Sequence, residues 1–529
     1  MLTKSKYTNI SGIFRLYATV AAPAIKQKPN QAQTPKQKPI ICCKRTQFNM
    51  YVPAPEGSEF GTIPLASSGW KHYKAKEDFI IFNATVSKAD IQAEMLQIED
   101  FLSGTNVCLN DKLLENLSTE MKINAFTSIQ ARAIPRVYDS HHVLIAAETG
   151  CGKTLAYMLP IIQRIIERKQ SSSQTQQNGR KFNTPMAIII SPGRELATQI
   201  GNVAQKLCQQ TGLQVKTILG GNTKRLMIDP EFSDVDILVA TIGALSKLVT
   251  TGIYRMEAVR HVVLDEADTL LDDSFSDKLG YFLKRFAFHK NHTQDEHTVG
   301  TQLILASATM PTNTEEMLQR VIDVQTLHEI SSPNLHKLMP HVEQRFLRMS
   351  KQSRPPTLLS LVKKNIAKKQ PLIVFSNKTA TSDFVDIYLN NNDVRSVNLN
   401  GDMLMKIRIG RFEQFQNGEY DVLSTTDIGS RGLDTTTARH VINFDFPLHV
   451  SDYIHRCGRI GRVGNLKSSL VTNFISSRRE VEVVQRIEHA ARTGGLLPDV
   501  NANIKNIINK RIMKDMQAAG IEVTEEEAF

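Results

Sequence analysis

A chain of 529 residues exceeds what one hydrophobic core holds, and at roughly 100–200 residues per folding unit it calls for two or three of them. With 41% hydrophobic and 22% charged residues and one tryptophan it has the make-up of globular protein, and no run approaches the roughly 20 apolar residues of a membrane span. The formal net charge of +11 is uneven: residues 1–45 hold nine Lys and Arg and no acid, the first being Glu56, so the rest of the chain sits near +2. From the N-terminus, this leader mixes Lys4, Lys6 and Arg15 with Ile10, Ile13, Phe14, Leu16 and Tyr17 at roughly helical spacing. It reads as a mitochondrial transit peptide; the alternative is a basic arm touching RNA or a nuclear importer, with a nuclear or nucleolar address.

Residues 46–108 read as an extension ahead of the first folded unit. Strands are then expected at 143–146, 187–190, 215–219, 237–240, 262–264 and 302–305, separated by helical patterns. One of these, 195–208, has Leu196, Ile200, Val203 and Leu207 at three-to-four spacing on one face. The Ser/Gln/Asn-rich stretch 170–184 reads as an exposed insertion. Four prolines, Pro333, Pro340, Pro355 and Pro356, mark an inter-domain connection at 334–356. The alternation restarts with strands at 372–375, 395–399, 421–424, 441–444 and 470–474 and helices at 382–389 and 403–415. The fold class is therefore α/β, with two tandem parallel-sheet domains at 109–333 and 357–500 joined by a flexible linker. Residues 501–529 form a tail whose basic Lys505, Lys510, Arg511 and Lys514 are followed by Glu525, Glu526 and Glu527. Cysteines at 42, 43, 108, 151, 208 and 457 show no CxxC spacing, so neither a disulfide framework nor a zinc site is expected. His289, His292 and His297 read as loop composition.

Three segments carry chemistry. Ala147-Glu148-Thr149-Gly150-Cys151-Gly152-Lys153-Thr154 follows a strand and opens an apolar helix. It fits the phosphate-loop pattern GxxxxGK(S/T) apart from alanine at the first position. Small residues at this spacing let backbone N–H groups converge on a phosphate at a helix N-terminus, while Lys153 adds charge and the Thr154 hydroxyl offers a ligand to Mg²⁺. Asp265-Glu266-Ala267-Asp268 follows the strand ending at Leu264. There Asp265 is the candidate magnesium carboxylate and Glu266 the group that orients or deprotonates the attacking water. In His455-Arg456-Cys457-Gly458-Arg459-Ile460-Gly461-Arg462, the three-residue step from Arg459 to Arg462 puts two guanidiniums on one side of a turn. That suits a clamp on phosphate charge that develops during transfer. Cys151, between two glycines of the phosphate loop, reads as a small filler in preference to a redox switch.

Together with Thr127-Ser128-Ile129-Gln130, 192–199, Gly220-Gly221, Thr241-Ile242-Gly243, Ser307-Ala308-Thr309, 372–376 and 426–434, these segments make ten elements in order over 109–492. The chain resembles the DEAD-box family of ATP-dependent RNA helicases. The resemblance implies RecA-like domains, an RNA-dependent ATPase that uses Mg²⁺ with ATP as substrate, and roles for matching positions. Gln130 reads adenine, Asp434 meets the ribose side of ATP, and Asp268, Ser307 and Thr309 couple nucleotide state to RNA. Pro192, Gly193, Arg194, Gly221, Thr241, Gly243 and Thr426 line the RNA path, gripping phosphates without reading bases. The sequence departs from the family pattern at Ile123, which stands for an aromatic residue, and at Gly193, which stands for threonine. It departs again at Ile242 and Ala244, where an arginine is lost, and at Met405. Phe101 is the nearest aromatic for packing on adenine. The expected client is structured RNA, above all mitochondrial ribosomal RNA during ribosome assembly in the matrix, with pre-ribosomal proteins as partners, no membrane, and a monomeric enzyme. The rival is an RNA-binding assembly factor that uses ATP as a clamp signal.

Overall fold

The computed structural model describes residues 38–54, 63–173, 182–221, 223–271, 276–288, 300–309, 318–427, 435, 437–462, 469–498 and 500. The leader up to residue 37, the histidine-containing loop, Asp434 and the tail lie outside them.

The expected strands of the first domain, joined by Leu327–Ser331, which the sequence reading does not anticipate because His328 and Glu329 interrupt its apolar pattern, form one seven-stranded parallel sheet. Its order is Leu327–Ser331, His142–Ala146, Gln302–Ser307, His261–Asp265, Ala187–Ser191, Ile237–Thr241, Val215–Ile218. Five of these strands are buried at every position, as a sheet covered on both faces requires. Because all run the same way, their C-terminal ends lie along one rim, and each expected motif of this lobe sits at that rim.

The second sheet holds eight strands, in the order Ile41–Cys43, Phe79–Phe82, Glu343–Arg348, Leu470–Ile475, His440–Asn443, Leu372–Ser376, Val422–Thr426, Ser396–Leu399. Its last six are parallel and its first two antiparallel. Charge alone groups residues 39–45 with the leader. The structure instead puts Ile41–Cys43 in this sheet, paired with Phe79–Phe82, because Ile41 and Cys43 alternate inward whatever the basic residues around them. The extension is thus part of the second lobe. Trp70 is fully buried there, its indole N–H donating to Asp78 at 3.0 Å. The buried Glu488 carboxylate accepts the N–H groups of Ala66 and Ser67 and pairs with Arg492.

Residues 334–356 likewise do not form a bare linker. Strand Glu343–Arg348 lies within them, with Gln344 and Phe346 buried, and helix Arg354–Ala367 begins with its prolines at the first turn, where no N–H is needed. Helix Lys153–Ser173 runs into the segment expected to be an insertion. Among the described residues no helix is long and apolar enough to cross a membrane, and no cysteine is paired.

Candidate active site

The phosphate loop joins strand His142–Ala146 to helix Lys153–Ser173. Gly150 and Gly152 take φ of +87° and +92°, which only glycine adopts without steric cost, and this curls the loop into a concave row of amides. The Lys153 ammonium crosses that hollow, donating to the carbonyls of Ala147 at 2.6 Å and Glu148 at 3.0 Å. Thr127 and Gln130 hold the loop from outside: the Thr127 hydroxyl donates to Cys151 O, and the Gln130 amide donates to Gly152 O while its oxygen accepts the Thr127 N–H. Cys151 is buried, and burial pushes its thiol up to about 11, so it is a filler with little thiolate.

Two strands away, His261–Asp265 delivers the acidic motif. Asp265 is buried, and burial lifts its carboxyl to about 6; it accepts hydrogen bonds from the Tyr157 hydroxyl at 2.7 Å and the Glu266 N–H at 2.9 Å. A carboxylate held at such cost is stabilised by a cation, and Thr154 lines the same cavity. Magnesium keeps several waters and takes one or two protein oxygens beside substrate phosphates, so this donor set fits Mg²⁺ although no group of three or more acidic, His or Cys ligands occurs among the described residues. Glu266 adopts the left-handed conformation, φ +51° and ψ +53°, rare for a residue with a Cβ, and lines that cavity.

From the second lobe, helix Val450–Cys457 and the turn after it approach the loop. Arg456 does not face the cavity. Its guanidinium is buried and hydrogen-bonded to both Asp427 carboxylate oxygens, Asn443, Asn377 and the Asp445 carbonyl, anchoring the turn to the second sheet. Arg459 and Arg462 do line the cavity, of about 530 Å³, together with Gly150, Gly152, Lys153, Thr154, Asp265, Glu266 and His455. The approach is close: a Cβ on Gly150 would lie 2.6 Å from Arg462 Cγ, and one on Gly458 2.4 Å from Thr149 Cβ.

Asp268, Ser307 and Thr309 form one buried cluster beside this cavity. Asp268 accepts the Thr309 hydroxyl at 2.7 Å and N–H at 3.1 Å, the Ser307 hydroxyl donates to the Thr309 carbonyl, and His455 Nε2 stands 3.8 Å from Asp268. The chain of contacts runs from one lobe into the other. The expected RNA-path residues lie farther along the rim. Gly193 caps helix Arg194–Leu207, the Arg194 guanidinium passes beside Gly220 and Gly221, and Thr241 ends its strand with open space around Gly243. Pro192 lies in the turn before Gly193, and Thr426 ends its own strand in the second sheet. A buried ion pair at 2.7 Å joins Glu195 of that helix to Arg408 of helix Met405–Gln416.

Several expectations change. Phe101 is buried edge-on against Phe126 in the first lobe's core, at 5.1 Å between ring centres, so it is not a platform for a base; Ile123 packs on the same core. Ile242 and Ala244 are each 1% exposed, so the two positions that depart from the family pattern are core positions here. Tyr157 is a residue the sequence reading passes over, although its place one helical turn after Lys153 puts it on the same face.

A model of DEAD/DEAH box helicases matches residues 127–317, and one of the helicase conserved C-terminal domain matches residues 353–464. The chain is 35% identical to the probable ATP-dependent RNA helicase DDX28 of Mus musculus over 475 residues and 34% identical to that of Homo sapiens over 477, with 88% of this chain and 86% of each relative covered. Among solved structures, S. cerevisiae Dbp5 bound to RNA and ADP BeF3 is similar in fold, with a TM-score of 0.58 at 21% identity, covering 77% of this chain and 97% of that one.

Proposed function

The chain belongs to the DEAD-box family of ATP-dependent RNA helicases, which are RNA-dependent ATPases, and on that premise we propose how its residues divide the work and which RNA it serves. Residues 147–154 take the phosphates of ATP, with Lys153 supplying the charge; Gln130 reads adenine through the amide proton that Gly152 leaves unused, and Asp434 meets the ribose. Mg²⁺, held by Thr154 and Asp265, would supply charge neutralisation on the phosphates. Glu266 orients or deprotonates the attacking water. Arg459 and Arg462 stabilise charge that builds on the γ-phosphoryl group in transit, so hydrolysis proceeds only when the second lobe closes on the first. Asp268, Ser307 and Thr309 carry that closure to Pro192, Gly193, Arg194, Gly221, Thr241, Gly243 and Thr426, which hold single-stranded RNA by its backbone. A closed path that fits one bent strand expels the other, giving local strand separation or protein displacement. One chain supplies every group, so the working unit is the monomer.

The observation that carries this reading is the shared cavity, with Lys153, Asp265 and Glu266 on one side and Arg459 and Arg462 on the other. Glu266→Gln tests it: RNA-stimulated phosphate release falls by about 10²–10⁴-fold while nucleotide still binds, and undiminished release would sink the assignment. A second reading, an RNA-binding assembly factor that uses ATP as a clamp signal, is favoured by the loss of the arginine at the Ile242–Ala244 segment, whose Ile242 and Ala244 are buried and offer no grip on RNA in its place. It requires that Glu266→Gln abolish release yet spare cellular function.

The client, on this reading, is structured ribosomal RNA in the mitochondrial matrix during ribosome assembly, with pre-ribosomal proteins nearby. The support is the acid-free basic leader combined with the family's activity. A reporter carrying residues 1–45 alone is expected in mitochondria. A nuclear signal would favour the basic-arm alternative and a nucleolar client.

A further inference from the structure

The two arginines of the second lobe sit on a turn whose alternate carbonyls are each held from outside it. The Arg459 carbonyl accepts the Thr435 hydroxyl at 2.5 Å, a contact within the second lobe. The Gly461 carbonyl, between Arg459 and Arg462 in sequence, meets His341 Nε2 at 2.7 Å. A carbonyl only accepts, so Nε2 carries the proton. Gly461 has φ of +69°, and a Cβ there would lie 2.6 Å from Val342 and 3.1 Å from Met339, so residues 339–342 form the floor against which the turn is shaped.

Residues 339–342 do not belong to the rim of either sheet. They are the stretch by which the chain passes from strand Leu327–Ser331 of the first sheet to strand Glu343–Arg348 of the second. A second crossing runs beside it. After strand Phe79–Phe82 in the second sheet, the chain returns to strand Leu96–Gln97 and the helix Ile98–Ser103 in the first lobe. On the way the N–H groups of Thr85 and Val86 both donate to the Pro340 carbonyl, at 2.7 and 3.2 Å. His341 is therefore the next residue after a carbonyl pinned by the other crossing.

We propose that His341 is a positioning residue for ATP hydrolysis: the crossing segment, clasped by Thr85 and Val86, uses the His341 imidazole to fix the turn that presents Arg459 and Arg462. This deepens the assignment of those arginines and rests on it. A turn free to shift by about 1 Å loses about 10²-fold in rate at the reacting centre without losing the groups that bind ground-state nucleotide. The extension at residues 39–86 is then a brace for catalysis as well as part of the second lobe's core.

The test uses the full chain. His341→Phe keeps the ring and removes the donor; His341→Gln keeps a donor nitrogen at nearly the same reach from Cβ. His341→Phe is expected to lower the RNA-saturated kcat for ATP about 10- to 100-fold, with KM for ATP and for RNA within about twofold and an unchanged melting temperature. His341→Gln is expected to recover most of that loss, and Thr85→Pro, which deletes both the N–H and the hydroxyl donor of Thr85 to the Pro340 carbonyl, to lower kcat in the same direction. Arg462→Lys serves as the control. If it abolishes hydrolysis while His341→Phe behaves as wild type, the positioning role is wrong and the arginine assignment stands; if Arg462→Lys itself hydrolyses ATP normally, the underlying assignment fails. Equal losses in His341→Phe and His341→Gln, or a matching rise in KM, would overturn the proposal as well.

Discussion

Gly458 gives the sharpest single perturbation of lobe closure. Its φ and ψ are −65° and −1°, ordinary for any L residue, so alanine fits the backbone of the second lobe. What alanine meets is the other lobe: its Cβ would sit 2.4 Å from both Cβ and Oγ1 of Thr149 in the phosphate loop, against about 3.4 Å for the shortest ordinary contact. The turn and the loop must then separate by about 1 Å, which displaces Arg459 and Arg462 by a similar amount from anything held by Lys153. A shift of that size costs about 10²-fold, or about 2.7 kcal/mol of transition-state stabilisation. Gly458→Ala is therefore predicted to lower RNA-saturated kcat about 100-fold, with unchanged melting temperature and unchanged affinity for ATP in the absence of RNA. Steady-state phosphate release and a fluorescent-nucleotide titration read the two quantities. A kcat within threefold of wild type would show that the lobes do not meet at this surface during turnover.

Two further predictions concern the second lobe. Trp70→Ala empties a fully buried site and removes the donor to Asp78, so it should cost about 3–5 kcal/mol of stability; a urea midpoint that does not move would mean the extension is not part of this core. His440 is fully buried between Asn365 and Thr472, and burial followed by the charges of Arg345 and Lys368 depresses its imidazole to about 3. The unfolded chain takes up that proton below about 6.5 whereas the folded chain does not until about 3. Stability therefore falls as pH drops through this window, by about 2 kcal/mol from pH 6.5 to 5. His440→Gln should flatten that slope in chemical denaturation at several pH values, and an unaltered slope would contradict the assignment.

How far the sequence discloses this molecule depends on the range of the interaction concerned. Ala187–Ser191 and Leu372–Ser376 announce themselves as strands because parallel strands buried on both faces are apolar throughout. Glu343–Arg348 does not, since at the join between the antiparallel and parallel parts of its sheet it buries only Gln344 and Phe346 among charged neighbours. Ile41–Cys43 is masked in the same way by the basic residues around it. The catalytic motifs are local patterns and so are legible. What fixes them is not: Tyr157 on Asp265, Arg456 on Asp427 and His341 on Gly461 are partners brought together by the fold. Phe101 shows the converse, an aromatic that the family resemblance offers as a partner for a base and that the fold packs inward on Phe126.

That ATP is hydrolysed in a chamber completed by the second lobe is tested most directly by single-turnover hydrolysis in the variant Arg459→Lys/Arg462→Lys, with saturating RNA and pre-bound ATP. The charge is kept, but the forked guanidinium geometry is lost. The hydrolysis rate is expected to fall about 10³-fold or more with nucleotide affinity nearly unchanged. Hydrolysis within tenfold of wild type would contradict a shared chamber.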